Sequence, residues 1–212
     1  MEIDMQPLEE KAFEFLKEQL IHGEYLPGTL LSENEIANSL NMSRTPVRAA
    51  ISRLEREGFL ETVKNRGILV RDISYKEFLE INQVIYSFQY YLFHLQKPEK
   101  LDIDVKGLEY HLSEQQKCTE NNDYLGYAKH SALFLRTMIS GTNNQEMLKI
   151  IDGFFDRIIR FAIVNYIRTP HHSHYSANET NQKLLEALTN EDYDQIKAYL
   201  HIYFEKIKKR FS

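Results

Sequence analysis

The chain has 212 residues, 42% of them hydrophobic, and a formal charge of −5. That suits one or two ordinary domains with cores of their own and excludes a fibrous or disordered chain. The longest apolar runs, such as 158–166, are broken by charge well short of the roughly 18 residues a membrane span needs. Residues 1–7 are acidic, unlike a secretory leader, so a cytoplasmic location with no membrane partner is expected. A single cysteine, Cys118, permits neither an internal disulfide nor a cysteine-cluster zinc site. With no P-loop, HExxH or GxSxG pattern and only eight glycines, the chain reads as neither an enzyme nor the carrier of a cofactor.

Overall acidity hides a local reversal. Residues 1–35 carry Lys11 and Lys17 against nine carboxylates, whereas residues 42–56 carry Arg44, Arg48, Arg53 and Arg56 against only Glu55. A surface meeting an acidic partner must therefore come from the second stretch. In chain order, Leu8, Ala12, Phe15, Leu16 and Leu20 share one helical face, closed by Gly23 and by Pro27-Gly28. Ser32 stands three residues before Glu35, a capping-box spacing, and opens a two-turn helix through Ile36, Ala37 and Leu40. After a turn at Asn41-Met42, Ser43 caps a third helix with Pro46 in its first turn and Val47, Ala50, Ile51 and Leu54 facing inward. Gly58 ends it. Residues 59–63 and 68–71 then read as two strands around Lys64-Asn65-Arg66-Gly67, a β-hairpin with a basic tip.

Arg44 and Arg48 lie four residues apart on the third helix, with Thr45 beside them, so cations and hydroxyls gather where a helix end can meet DNA. Taken together, Gly23, Pro27-Gly28, Leu31-Ser32-Glu33, Ile36-Ala37, Ser43-Arg44-Thr45-Pro46-Val47-Arg48, Glu57-Gly58 and Arg66-Gly67 resemble the winged helix-turn-helix of GntR-family transcription regulators. The resemblance covers roughly residues 8–71. It implies a double-stranded DNA partner, with the third helix in the major groove and the wing near the minor groove. Ser43, Arg44, Thr45 and Arg48 would then contact phosphates and base edges, joined by Arg66 and Gly67 at the wing tip. Asn34 is a further candidate, at a position where many relatives carry arginine.

Composition changes near residue 72. The expected domains are 1–72 and, after a linker at 71–74, an all-helical unit over 75–212. About six helices are expected, with breaks at 97–104, 120–123, 141–144, 169–176 and 189–192, which suits an antiparallel bundle. The fold class is thus mainly α: a winged helix-turn-helix with a small β-hairpin wing, then a helical bundle. Helix count, residues 141–144 and Leu184-Leu185-Glu186-Ala187-Leu188 with Asp192 resemble the FCD form of the FadR-type effector domain.

Such domains hold small carboxylates, often through a metal bound by one aspartate and three histidines. By that resemblance the four ligand positions fall at Ser131, Leu135, Asn181 and Tyr203, and the family's effector-binding arginine falls at Ile85. No metal is expected in that set. A one-residue shift would instead bring His130 to the aspartate position, and His201 stands two residues before Tyr203. His171, His172 and His174 follow Pro170 in an expected loop and read as a solvated connector; His94 and His111 read as partly exposed helix residues. Tyr86, Gln89, Asn181 and Tyr203 are expected to line a neutral cavity for an apolar or uncharged polar ligand.

The resulting expectation is a homodimeric DNA-binding regulator, a repressor that reads a short inverted repeat, with a small-molecule effector in its second domain. The alternative is an effector-independent regulator whose second domain only oligomerises or binds a partner.

Overall fold

A computed structural model describes residues 7–96 and 101–210. The chain divides into two compact units, Met1–Asp72 and Ile73–Ser212.

In the first unit, α1 (Leu8–His22) buries Ala12, Phe13, Leu16 and Leu20, four positions that helical periodicity puts on one stripe. It stops at Gly23, whose left-handed backbone (φ 78°) lets its N–H reach the Gln19 carbonyl. Helices α2 (Glu33–Ser39) and α3 (Arg44–Arg56) follow, joined by a turn in which Asn41 takes φ 52°. Val47, Ala50, Ile51 and Leu54 of α3 are buried, and they meet α1, Ile36, Ala37, Phe59, Leu60, Ile68 and Val70 in one core. Fifteen such buried side chains are what lets so short a unit hold its shape.

Two features differ from expectation. The wing is not a two-stranded hairpin alone: β1 (Leu30–Leu31) joins β2 (Leu60–Val63) and β3 (Gly67–Val70) in an antiparallel sheet ordered β1-β3-β2. Leu31 pairs with Ile68, and Val63 with Gly67. Two residues are too short to show a period, so β1 exists only because β3 offers an edge to it. Ser32 and Ser43 do stand at N-caps in extended conformation, but neither hydroxyl accepts a bond from its helix, so the expected capping box is not made.

The second unit contains six α-helices among the described residues: α4 (Tyr75–Tyr90), α5 (Val105–Glu120), α6 (Tyr124–Ser140), α7 (Gln145–Arg168), α8 (Ala177–Thr189) and α9 (Tyr193–Arg210). Helix α4 runs on into a π-helical turn, Tyr91–Leu95. Part of the first expected break, 97–100, lies outside the described residues. Three of the helix starts are set by capping side chains. Asp104 accepts the N–H of Gly107, Asp123 that of Gly126, and Asn144 those of Glu146 and Met147. Gly107 and Gly126 suit their positions because a Cβ there would come within 2.3 and 2.2 Å of the capping carboxylates. Leu92, Leu108, Leu112, Phe134, Met138, Leu184, Ile196 and Leu200 form one core cluster, and Ile81, Ile85, Ile139 and Ile151 belong to a second. No described helix is long and apolar enough to cross a membrane.

Candidate DNA-binding face and bundle cavity

Helical periodicity sorts α3 into two faces. Val47, Ala50, Ile51 and Leu54 are buried, which leaves Arg44, Thr45 and Arg48 exposed together, with Ser43 exposed at the N-cap. The Arg48 Nε donates to Glu33 Oε2 at 2.7 Å. This bond ties the exposed face of α3 to the start of α2, next to the exposed Asn34. Arg66 is exposed in the β2–β3 turn, where Asn65 takes φ 62°. Gly67 begins β3 at φ 111°, and a Cβ on it would lie 2.8 Å from the Leu31 carbonyl oxygen. Gly67, Leu31, Glu33 and Arg48 are thereby linked in sequence, so the wing, the start of α2 and the face of α3 are built on one another.

Arg53 does not join that face. Its guanidinium lies 3.5 Å over the Phe13 ring and donates to Glu10 at 2.9 Å and to Glu57 at 3.4 Å. The basic excess seen in residues 42–56 is therefore partly consumed in holding α3 to α1. Glu33 was missed in the sequence reading as a partner of Arg48, because nothing local marks a contact fifteen residues apart.

In the second unit, a cavity of about 270 Å³ opens inside the bundle. All seven mapped positions line it: Ile85, Tyr86 and Gln89 from α4, Ser131 and Leu135 from α6, Asn181 from α8, and Tyr203 from α9. Gln89 and Asn181 are each only 8% exposed. The Asn181 Nδ2 donates to Gln115 Oε1 at 2.9 Å, and the Tyr86 hydroxyl lies 3.3 Å from His201 Nδ1. Burial pushes the Tyr86 phenol up, helped by Tyr90 and Glu205. Burial likewise raises Tyr127, which also lines the cavity and whose oxygen accepts the Ala177 N–H at 3.0 Å. Both phenols stay neutral at physiological pH.

The loop between α7 and α8 departs from the expected solvated connector. His171 and His172 are exposed, but His174 is buried and lines the cavity. Its Nε2 lies 2.7 Å from the Thr169 carbonyl, and its ring meets the edges or faces of Tyr124 and Tyr166 at 5.7 and 5.1 Å. The Tyr127–Ala177 bond holds the far end of the loop, so the imidazole is drawn in among rings that the sequence places in other helices. Clustered histidines gave no sign of which one turns inward.

A metal of the family's type does not fit here. Ser131, Leu135, Asn181 and Tyr203 supply a hydroxyl, a hydrocarbon, an amide and a phenol, with no carboxylate or imidazole among them. The shifted register does not repair this. His130 packs against His111 with their Nδ1 atoms 3.2 Å apart, and His201 faces Tyr86; neither belongs to the cavity lining. Among the described residues no group of three or more histidine, cysteine or acidic side chains is arranged to hold a metal ion.

The family model described as "Bacterial regulatory proteins, gntR family" matches residues 8–70, and the model for the FCD domain matches residues 100–206. The chain is 22% identical over 190 residues to the uncharacterized HTH-type transcriptional regulator YdhC of Bacillus subtilis (strain 168), covering 89% of this chain and 84% of that protein. It is 36% identical over 69 residues to the HTH-type transcriptional repressor RspR of Escherichia coli (strain K12), covering 32% of this chain and 30% of the relative. The same fold occurs in a putative GntR transcriptional regulator from Rhodococcus sp. RHA1, with a TM-score of 0.80, 19% identity and 96% of each chain covered. The protein thus belongs to the GntR family of DNA-binding transcription regulators, in its FadR-type branch with a C-terminal FCD domain.

Proposed function

We propose that this regulator is a repressor that binds a short inverted repeat as a homodimer and is released or repositioned by an uncharged small molecule in its bundle cavity. The observation that carries the effector half is the meeting of Ile85, Tyr86, Gln89, Ser131, Leu135, Asn181 and Tyr203 around one cavity, from positions up to 118 residues apart (203 − 85). A packed dimerisation module would need no such space.

For DNA, the argument is chemical. Arg44 and Arg48 present guanidinium groups that can donate in pairs to guanine O6 and N7, whereas Ser43, Thr45 and Arg66 suit phosphate oxygens. Asn34 and Gly67 lie at the flanks, one on α2 and one where the wing backbone approaches the minor groove. Such a head makes few base contacts, so two heads related by a two-fold axis are needed for a specific site. Repression is supported by the similar head of RspR, which carries that role in its name. A ligand acts by binding one placement of the heads better than another.

The test is selection of bound duplexes from a random pool, followed by measurement of protein-to-DNA stoichiometry. Inverted repeats bound by two chains are expected. Sites without two-fold symmetry, or one chain per site, would overturn the dimer.

A further inference from the structure

The cavity's walls restrict the chemistry of its occupant. An apolar cavity of about 150 Å³ holds one benzene ring, so 270 Å³ accommodates two fused rings. The walls combine aliphatic side chains with ring surfaces, and several of the rings are held in place by their neighbours. Phe78 stacks on Phe161 at 3.9 Å, and Tyr86 on Phe204 at 4.5 Å, with interplanar angles of 10° and 6°. A flat ligand fits among flat walls.

The polar groups that line the cavity are four amides, four phenols, three aliphatic hydroxyls and the His174 ring, besides two charged residues. Asn82, Gln89, Asn165 and Asn181 face it from three helices. The charged lining residues are Glu179 and Lys206, both exposed at the rim. Glu179 is bonded by Lys183 at 2.5 Å, and the positive charges of Lys183 and Lys206 hold its carboxyl below the usual range. An anion carried to the buried amides would leave water with Lys206, exposed at the rim, as the sole lysine or arginine of the lining to pair with it. The amides also have a polarity. Asn82 Nδ2 donates to the Phe78 carbonyl at 2.8 Å and Asn181 Nδ2 to Gln115 at 2.9 Å. One N–H of each NH2 is committed, whereas neither oxygen accepts a bond among the described residues, so the oxygen is the side with the most capacity left for a ligand.

We propose that the effector is an uncharged, planar compound of about two fused rings that donates an N–H or O–H to the Asn181 oxygen, and not an organic-acid anion. This rests on the reading of the cavity as the effector site. The chain has no tryptophan and 13 tyrosines, so indole emission sensitised by tyrosine reports occupancy directly. Full-length protein is titrated with indole; benzofuran, which keeps the shape but lacks the N–H, and indole-3-carboxylate, which adds a charge, are measured by displacing it.

One indole per chain is expected, with a dissociation constant of about 1 mM or tighter. Benzofuran and the carboxylate should each bind about tenfold more weakly. Asn181→Leu should bring indole down to the benzofuran level, and Ala128→Phe, which fills the cavity, should abolish binding of both. Should Asn181→Leu fail to fold, the indole-to-benzofuran ratio in the native protein decides the donor on its own. Equal or tighter binding of indole-3-carboxylate overturns the ligand class and leaves the site standing. Full indole binding in a folded Ala128→Phe protein overturns the site as well, and no indole binding at about 1 mM overturns the proposal outright.

Discussion

At the scale of single residues, Arg48 is held in place before any DNA arrives. Its Nε is bonded to Glu33, so the guanidinium is oriented with its remaining donors available to a base edge. Arg48→Ala is expected to remove about 1–3 kcal/mol of discrimination at one base position. Arg66→Ala should instead weaken all duplexes alike and reduce the slope of log affinity against log salt by about 1. Fluorescence anisotropy on a selected site and its single-base variants, at two salt concentrations, separates the two; equal loss on every sequence for Arg48→Ala would refute its role as a reader. His111 supplies a different test. Burial lowers its pKa, reinforced by His130 and opposed by Asp104. A histidine whose folded pKa is depressed contributes stability above its ordinary value of about 6.5, and loses it as pH falls through the lower folded value. Melting temperature should therefore drop as pH is lowered below about 6.5, and His111→Gln should flatten that part of the profile.

At the scale of elements, glycines discriminate between tight and loose positions. Gly67 holds φ 111° with the Leu31 carbonyl oxygen 2.8 Å from where a Cβ would sit. Gly67→Ala is expected to cost more than about 1 kcal/mol and to loosen the pairing of β1 with β3. Gly153 lies inside α7 with nothing within 4 Å of an added Cβ. Gly153→Ala should stabilise by about 0.5–1 kcal/mol. Urea denaturation of both variants checks the opposite signs. The same contrast explains what the sequence showed of these elements. Asp104, Asp123 and Asn144 act on N–H groups two or three residues ahead, so the helix starts could be read directly. The capping box at Ser32 could not, because β1 sets the backbone immediately before it.

At the scale of the whole molecule, a DNA-reading unit and a bundle with a cavity each have their own core. In the proposed dimer, two heads must meet half-sites on one side of the duplex. Inserting about 5 bp, half a helical turn, between the half-sites should reduce affinity to that of an isolated half-site, whereas inserting about 10 bp should restore part of it only if the heads can separate that far. Gel-shift titration of the spacer series reads this directly, and indifference to spacing would argue for independent heads.

What the sequence determined by itself was whatever depends on neighbours within a turn or two: the stripes of α1 and α3, the exposure of Arg44, Thr45 and Arg48, the helix breaks, and the change of regime near residue 72. It also carried the family pattern that brought Ser131, Leu135, Asn181 and Tyr203 into consideration together. Tertiary structure alone decided that Arg53 packs on Phe13, that Leu30–Leu31 adds a strand, that Arg48 is bonded to Glu33, and that His174 turns inward while His171 and His172 stay outside. The reason is one of range. Periodicity and capping are encoded over two to four residues, but the burial of a loop imidazole or the opening of a cavity depends on side chains that only the packed chain brings together.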